Sequence, residues 1–158
     1  MKRIPVIIAL LIIAVSSSAQ DLEFRIRGGV NFQRAIGSDE EFSLYSHIGA
    51  MAGIRISTIG FYGEMLYSTH EEANGEGGIN YIEPSAIFRY YTFKYMYAEA
   101  GLTYYILAED VPDGFNSNPD KDPGFFMGLG VSFRRIEVGM RTSTSPFKVV
   151  QATASFRF

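Results

Sequence analysis

Ser68 and His70 are the residues of this sequence whose types and spacing come nearest to a catalytic site. They stand two positions apart on one face of a predicted strand, and Glu71 and Glu72 follow directly, so a Ser–His–acid arrangement for nucleophilic hydrolysis is geometrically allowed. A serine and a histidine at this spacing are commonplace in strands, and no nucleophile-elbow or oxyanion motif accompanies them. We therefore predict that the protein is not an enzyme and has no catalytic residues.

Cation binding is the second chemistry that the residue types suggest. Asn116, Asn118, Asp120 and Asp122 recur at every second position of "NSNPDKDPG", loosely as calcium ligands do. The central glycine and the closing bidentate glutamate of a calcium loop are missing. With two His and no Cys, the chain also lacks the clustered ligands typical of zinc sites. We predict no metal site and no cofactor.

Charges that alternate with apolar residues are the most frequent pattern. In "LEFRIRGGVNF", residues 22–32, apolar side chains occupy every second position, and Glu23, Arg25 and Arg27 lie between them. Such alternation indicates a β-strand with one apolar and one polar face. Eight segments are strand-like, and most are near the roughly 9–11 residues that a tilted strand needs to cross a membrane. They cover 22–33, 42–57, 61–70, 81–91, 95–107, 125–134, 136–143 and 149–158.

If the polar faces of all eight segments share one side of the sheet, that side carries five glutamates and six arginines but no lysine. Arginine without lysine favours an enclosed network, because the planar guanidinium binds carboxylates with two parallel hydrogen bonds. A near balance of the two signs is what burial of charges requires. The predicted lumen charges are Glu23, Arg25, Arg27, Arg55, Glu64, Glu83, Arg89, Glu99, Glu137, Arg141 and Arg157.

These patterns predict an all-β fold, an eight-stranded antiparallel up-and-down transmembrane β-barrel with lipid outside and charges within. The connections 34–41, 71–80 and 108–124 are long, and those between them turn within a few residues. Long outer loops and short periplasmic turns are typical of outer-membrane barrels. Two alternatives remain open: a soluble lipocalin-like barrel whose apolar faces point inward, and a barrel of ten shorter strands.

The first nineteen residues are predicted to be a cleaved signal peptide, which leaves 20–158 as the barrel domain. Lys2 and Arg3 precede an apolar run of twelve residues, and small residues follow up to Ala19. This run is shorter than the ~20 residues of a membrane-spanning helix. Export and insertion into the outer membrane are therefore expected.

Acidic residues concentrate in the long connections. Without Lys2 and Arg3 the net charge is 12 − 17 = −5, so the chain has no basic excess for binding nucleic acid. The acidic rim at the cell surface either binds divalent cations or keeps the surface hydrated. The acids in or beside the long connections are Asp39, Glu40, Glu41, Glu71, Glu72, Glu76, Glu109, Asp110, Asp113, Asp120 and Asp122.

Several short motifs resemble one group of barrels. They are the Gly-Val-Asn of 29–31, "YAEAG" at 97–101, "GLGVSF" at 128–133 and the terminal "SFRF". With them the whole mature chain resembles the small outer-membrane β-barrel proteins of Bacteroidota, the PorT-like group. This resemblance implies fold and location more than an activity, and the last strand looks like the signal read by the barrel-insertion machinery.

One position departs from that group. Its fourth strand usually has a residue between the glutamate and the proline, whereas Glu83 adjoins Pro84 here. Because proline cannot donate to the strand ladder, we expect a bulge near Ser85, which would change the side to which Glu83 or Arg89 points.

Three functions are compatible with these expectations. The first is a non-enzymatic barrel for envelope integrity or surface interaction, with a filled interior because eight strands leave room only for side chains. The second is a small-ligand binder or secretion-assembly subunit that uses its outer loops or the basic turns Lys94 and Arg134–Arg135. The third is an enzyme such as a lipid A deacylase built on Ser68 and His70. We expect a monomer surrounded by outer-membrane lipids, with the tyrosines forming interfacial girdles.

Overall fold

The computed structural model of the chain describes residues 21–33, 43–71, 78–93, 95–108, 123–143 and 149–158. Several predictions fall outside these ranges: the signal peptide, most of the long connections, the 116–122 pattern, Glu72 and Lys94. No helix in the described part of the chain is long and apolar enough to cross a bilayer.

In these described ranges, nine antiparallel strands make up one sheet. Their spatial order is β3-β2-β1-β9-β8-β7-β5-β4-β6, and β3 also pairs with β4, so the sheet closes into a barrel. β4 pairs with both β5 and β6 in one register, which makes these two pieces a single interrupted strand and gives the barrel eight strands, as predicted. The strands are β1 Asp21–Gln33, β2 Ser43–Ile56, β3 Ile59–Glu71, β4 Gly78–Phe93, β5 Met96–Thr103, β6 Ile106–Leu107, β7 Gly124–Phe133, β8 Ile136–Ser143 and β9 Val149–Arg157.

The interruption between β5 and β6 lies opposite Pro84. The backbone N–H of Tyr104 donates to the carbonyl of Pro84 at 3.0 Å, but Pro84 has no N–H to donate in return. β4 nevertheless keeps an unbroken register with β3 through this point. The predicted bulge near Ser85 is therefore wrong: the missing donor interrupts the neighbouring strand, and both Glu83 and Arg89 are buried.

The two faces of the sheet are of opposite character. Along β1, Glu23, Arg25 and Arg27 are buried inside, whereas Leu22 is 81 % exposed and Phe24 45 % exposed on the outside. The same holds for Met140 and the other large apolar side chains of β8, which point outward. An apolar exterior around a charged interior suits hydrocarbon and not water, so the soluble alternative is wrong.

Two glycines allow close packing inside the wall. Gly130 of β7 and Gly139 of β8 lie side by side, and the ring of Tyr97 packs against their inner surface. A Cβ atom at Gly130 would lie 2.3 Å from Tyr97 Cζ, and one at Gly139 would lie 2.7 Å from Tyr97 Oη. Only a residue without a side chain permits this approach.

Candidate functional site

Nine charged side chains form one connected network in the middle of the barrel, which we call the central network. Consecutive members lie 2.6–3.0 Å apart, measured between guanidinium nitrogen and carboxylate oxygen. Five arginines alternate with four glutamates, so each glutamate lies between two arginines. In contact order they are Arg157, Glu23, Arg25, Glu137, Arg89, Glu99, Arg141, Glu64 and Arg27.

The central network crosses the lumen from wall to wall. Arg141 on β8 contacts Glu64 on β3 at 2.6 Å. In the closed sheet three strands separate β8 from β3 in one direction (β9, β1 and β2), and three separate them in the other (β7, the interrupted β5–β6 strand and β4). These two strands are therefore diametrically opposite, and side chains that meet between them span the lumen.

Glu137 shows how the strand pattern places these groups. It alternates with outward-facing Ile136 and Val138 on β8, so its carboxylate points inward, where its side chain is fully buried. Arg89 Nη1 donates to Glu137 Oε2 at 2.8 Å. Arg25 Nη2 lies 2.9 Å from Glu137 Oε1, an ion pair that lacks hydrogen-bond alignment. Two arginines thus neutralise the carboxylate of Glu137. A charge that is buried in a low-dielectric interior requires such compensation.

Tyrosines contact both the glutamates and the arginines of the central network. Tyr62 Oη donates to Glu23 Oε2 at 2.5 Å and lies 2.9 Å from Tyr91 Oη. The Arg89 guanidinium stacks 4.1 Å from the centroid of the Tyr97 ring, a cation–π contact. The expectation that the tyrosines form outer girdles is wrong for those that point inward, although the alternation in the fifth segment already placed Tyr97 on the polar face. The buried tyrosines are Tyr62, Tyr81, Tyr91, Tyr97 and Tyr105.

Glu83 does not join the central network. It binds Ser68 and His70, and all three side chains are buried near the loop end of the barrel. Ser68 Oγ also lies 2.9 Å from His70 Nε2. The structure thus brings the predicted pair Ser68 and His70 together, but it places Glu83 beside them. The side chain of Glu71 and the whole of Glu72 are outside the described residues.

The geometry of this second cluster differs from that of a catalytic triad. In a triad the serine and the acid occupy opposite nitrogens of the imidazole. Here Ser68 and Glu83 both contact Nε2 of His70, and Glu83 also holds the serine hydroxyl directly. Among the described residues, no group of three or more His, Cys, Asp or Glu is arranged to hold a metal ion. The cluster is a buried polar contact of β3 with β4.

Arg55 is the other predicted lumen charge outside the central network. It lies half-buried at the short-turn mouth of the barrel, with its guanidinium 3.9 Å above the ring of Tyr91 and its Nε donating to the Ser57 carbonyl at 2.9 Å. No carboxylate in the described ranges lies within ion-pair distance of it. The eleven predicted charges therefore divide into the central network, Glu83 in its own cluster, and Arg55 at the mouth.

A family comparison agrees with this architecture. The sequence model of the family described as "Outer membrane protein beta-barrel domain" matches residues 6–135, which is more than three quarters of the chain. The chain belongs to the outer membrane protein beta-barrel domain family. Membership in this family implies a location in the outer membrane. No curated protein matches the chain.

Solved structures share the fold of this outer-membrane barrel. The crystal structure of Neisserial surface protein A (NspA) superposes with a TM-score of 0.61 at 13 % identity, covering 89 % of this chain and 98 % of that one. The backbone structure of the Yersinia pestis outer membrane protein Ail in a phospholipid bilayer nanodisc gives a TM-score of 0.50 at 14 % identity, covering 87 % and 100 %. At such low identities the likeness concerns the fold alone.

Proposed function

We propose that this chain is a non-enzymatic outer-membrane barrel, closed to solutes, that contributes to envelope integrity or surface interaction through its loops. The observation that carries the proposal is the contact of Arg141 with Glu64 between diametrically opposite strands. Guanidinium and carboxylate groups that meet across the lumen obstruct the path of water and solutes. A solute would have to break these buried ion pairs in order to pass.

Electrical recording tests whether the barrel is closed. We expect the full-length protein, refolded and inserted into planar bilayers, to give no stable large conductance, because the central network obstructs the lumen. An open porin reconstituted in the same bilayers is the positive control. Stable large-conductance steps from the refolded protein would overturn the proposal.

The enzyme alternative rests on Ser68, His70 and Glu83, and it predicts a chemical product. The buried serine already donates its hydroxyl to Glu83, so it is not poised for attack on a substrate carbonyl. We expect mass spectra of lipid A to be the same with overexpressed wild-type protein, with the Ser68→Ala variant, and without either. A deacylated lipid A that appears only with the wild-type protein would favour the enzyme.

The remaining expectations concern location and partners. We propose a monomer surrounded by outer-membrane lipid, because the closed sheet leaves no strand edge for pairing with a second copy. The finer placement in the PorT-like group of Bacteroidota stays a prediction, as does a secretion-assembly or ligand-binding role. Co-purification of a periplasmic partner that is lost when Arg134 and Arg135 are reversed to Glu would favour the secretion role.

A further inference from the structure

The short-turn mouth of the barrel contains a recess of about 510 Å³ that the central network does not fill. Its lining includes Tyr91 from β4 and Arg157 from β9, which are diametrically opposite strands, and Arg55 from β2, which lies midway between them. The remaining lining residues are Tyr95, Ser132, Phe133 and Arg134. Three arginines, two tyrosines and a serine therefore surround one small space.

The positive charge in this mouth recess is only partly compensated. Arg157 is paired, since its Nη1 donates to Glu23 Oε1 at 2.9 Å. Asp21 is the cross-strand neighbour of Arg55 but forms no ion pair with it. Arg134 has no carboxylate within ion-pair distance among the residues that the structure describes. Glu23 serves Arg25 as well as Arg157, so it cannot balance a further arginine. The residues that line the recess thus carry a net positive charge.

The guanidinium groups of Arg55 and Arg157 are held in place, and the backbone of the turn that carries Arg134 is fixed as well. Tyr91 stacks under the Arg55 guanidinium, whose Nε is fixed on the Ser57 carbonyl. Arg157 Nη2 donates to the carbonyl of Arg134 at 2.6 Å, which fixes the turn that carries Arg134. Arg134 itself has a left-handed backbone, with φ of 56°. Such preorganisation lowers the entropic cost of binding an anion.

We propose that the mouth recess binds a phosphate-bearing ligand through Arg55 and Arg134. A guanidinium presents paired N–H donors that match phosphate oxygens. The tyrosine rings limit the space around the anion, and Ser132 adds a hydroxyl donor in the lining. The two proposed ligand residues, Arg55 and Arg134, lie outside the central network, which reaches the recess at Arg157. The proposal does not depend on whether the barrel conducts.

Two sources can supply the same phosphate chemistry. Tyr95 and Phe133, at the rim of the recess, are exposed, and their ring centroids lie 6.0 Å apart. Aromatic side chains of this kind favour the level of lipid headgroups, so the phosphate of an anionic phospholipid can reach the rim. A soluble phosphate-bearing molecule can enter from the aqueous side. The experiment therefore has one arm for each source.

The first arm uses inorganic phosphate. The full-length protein, refolded in zwitterionic detergent, is titrated by isothermal calorimetry at constant ionic strength. We expect saturable binding that Arg55→Gln or Arg134→Gln weakens about tenfold, because each variant removes a charge-assisted hydrogen bond. Arg135→Gln is the matched control: it removes the same charge from the same turn, but Arg135 does not line the recess. We expect it to change affinity less than about twofold.

The second arm uses nanodiscs that contain phosphatidylglycerol and phosphatidylcholine in equal amounts. Native mass spectrometry then counts the lipids retained by wild-type protein, Arg55→Gln and Arg135→Gln. Enrichment of phosphatidylglycerol that Arg55→Gln abolishes and Arg135→Gln preserves identifies a lipid headgroup. Binding of inorganic phosphate without that enrichment identifies a soluble ligand.

The proposal is overturned if neither probe binds, or if Arg135→Gln loses as much affinity as Arg55→Gln. The latter result would mean that diffuse charge, and not the recess, attracts the anion. Heat-modifiable migration on gels verifies that each variant is folded before it is scored.

Discussion

Replacing Glu137 with glutamine is expected to lower the free energy of unfolding by about 3–5 kcal/mol, the range for breaking a buried ion pair by removing one partner. The side chain of Glu137 is fully buried and lies between Arg25 and Arg89. Glutamine keeps the size of the side chain but removes its charge. A guanidinium cannot give up its proton under ordinary conditions, so both arginines would stay charged and under-neutralised in the interior.

Urea unfolding of the refolded barrel, followed by the heat-modifiable shift on gels and extrapolated linearly, measures this loss. Asp21→Asn is the matched control, because Asp21 is exposed on the same barrel and forms no ion pair among the described residues. It should change stability by less than about 0.5 kcal/mol. A Glu137→Gln loss below about 1 kcal/mol would mean that water screens the central network.

Replacing Gly130 with alanine is expected to destabilise the barrel by about 1–3 kcal/mol, the usual cost of overpacking. The new Cβ would lie 2.3 Å from Tyr97 Cζ, and the ring is buried against Gly139 with little room to move. Gly63→Ala is the matched control, because nothing lies within 4 Å of a Cβ at Gly63. There the smaller entropy of the unfolded chain should make alanine neutral or slightly stabilising.

The same unfolding measurement compares Gly130→Ala with Gly63→Ala. A double variant then tests whether the Tyr97 ring causes the loss of stability. In a Tyr97→Ala background, Gly130→Ala should cost much less than in the wild type, because the overlapping ring has been removed. Equal losses for Gly130→Ala and Gly63→Ala would show that Tyr97 does not pack on Gly130. An undiminished loss in the Tyr97→Ala background would assign the effect to the backbone of β7.

The strands and their two faces could be predicted from the sequence because a strand has a side-chain period of two. Once Leu22 and Phe24 are assigned to one side, Glu23 and Arg25 must lie on the other. The observed β8, Ile136–Ser143, has the predicted bounds. Tyr97 also lies on the predicted face. Its packing against Gly130 and Gly139 could not be predicted in the same way, because these glycines belong to other strands. Alternation within a strand thus determines which side chains point inward and which point outward, and this does not require knowing which strands are neighbours.

The depth of an inward-facing side chain along the barrel axis was harder to predict from the sequence. Glu83 and Arg55 show why. Both are inward by alternation and both are found on the inner side, yet neither reaches the central network. Glu83 lies too near the loop end and binds His70, whereas Arg55 lies too near the mouth and stacks on Tyr91. Alternation carries no information on depth, which depends on the tilt and stagger of the closed sheet.

The sequence by itself therefore determined an all-β chain of eight amphipathic strands with a charged inner face, because each of these features is local. Only the tertiary structure decided that Arg141 meets Glu64 across the lumen and that Arg55 and Arg134 line one positively charged recess. Such contacts join residues far apart in the chain, and closure of the barrel brings them together. The physical reason is that register and stagger, which belong to the whole sheet, set the distance between side chains of opposite walls.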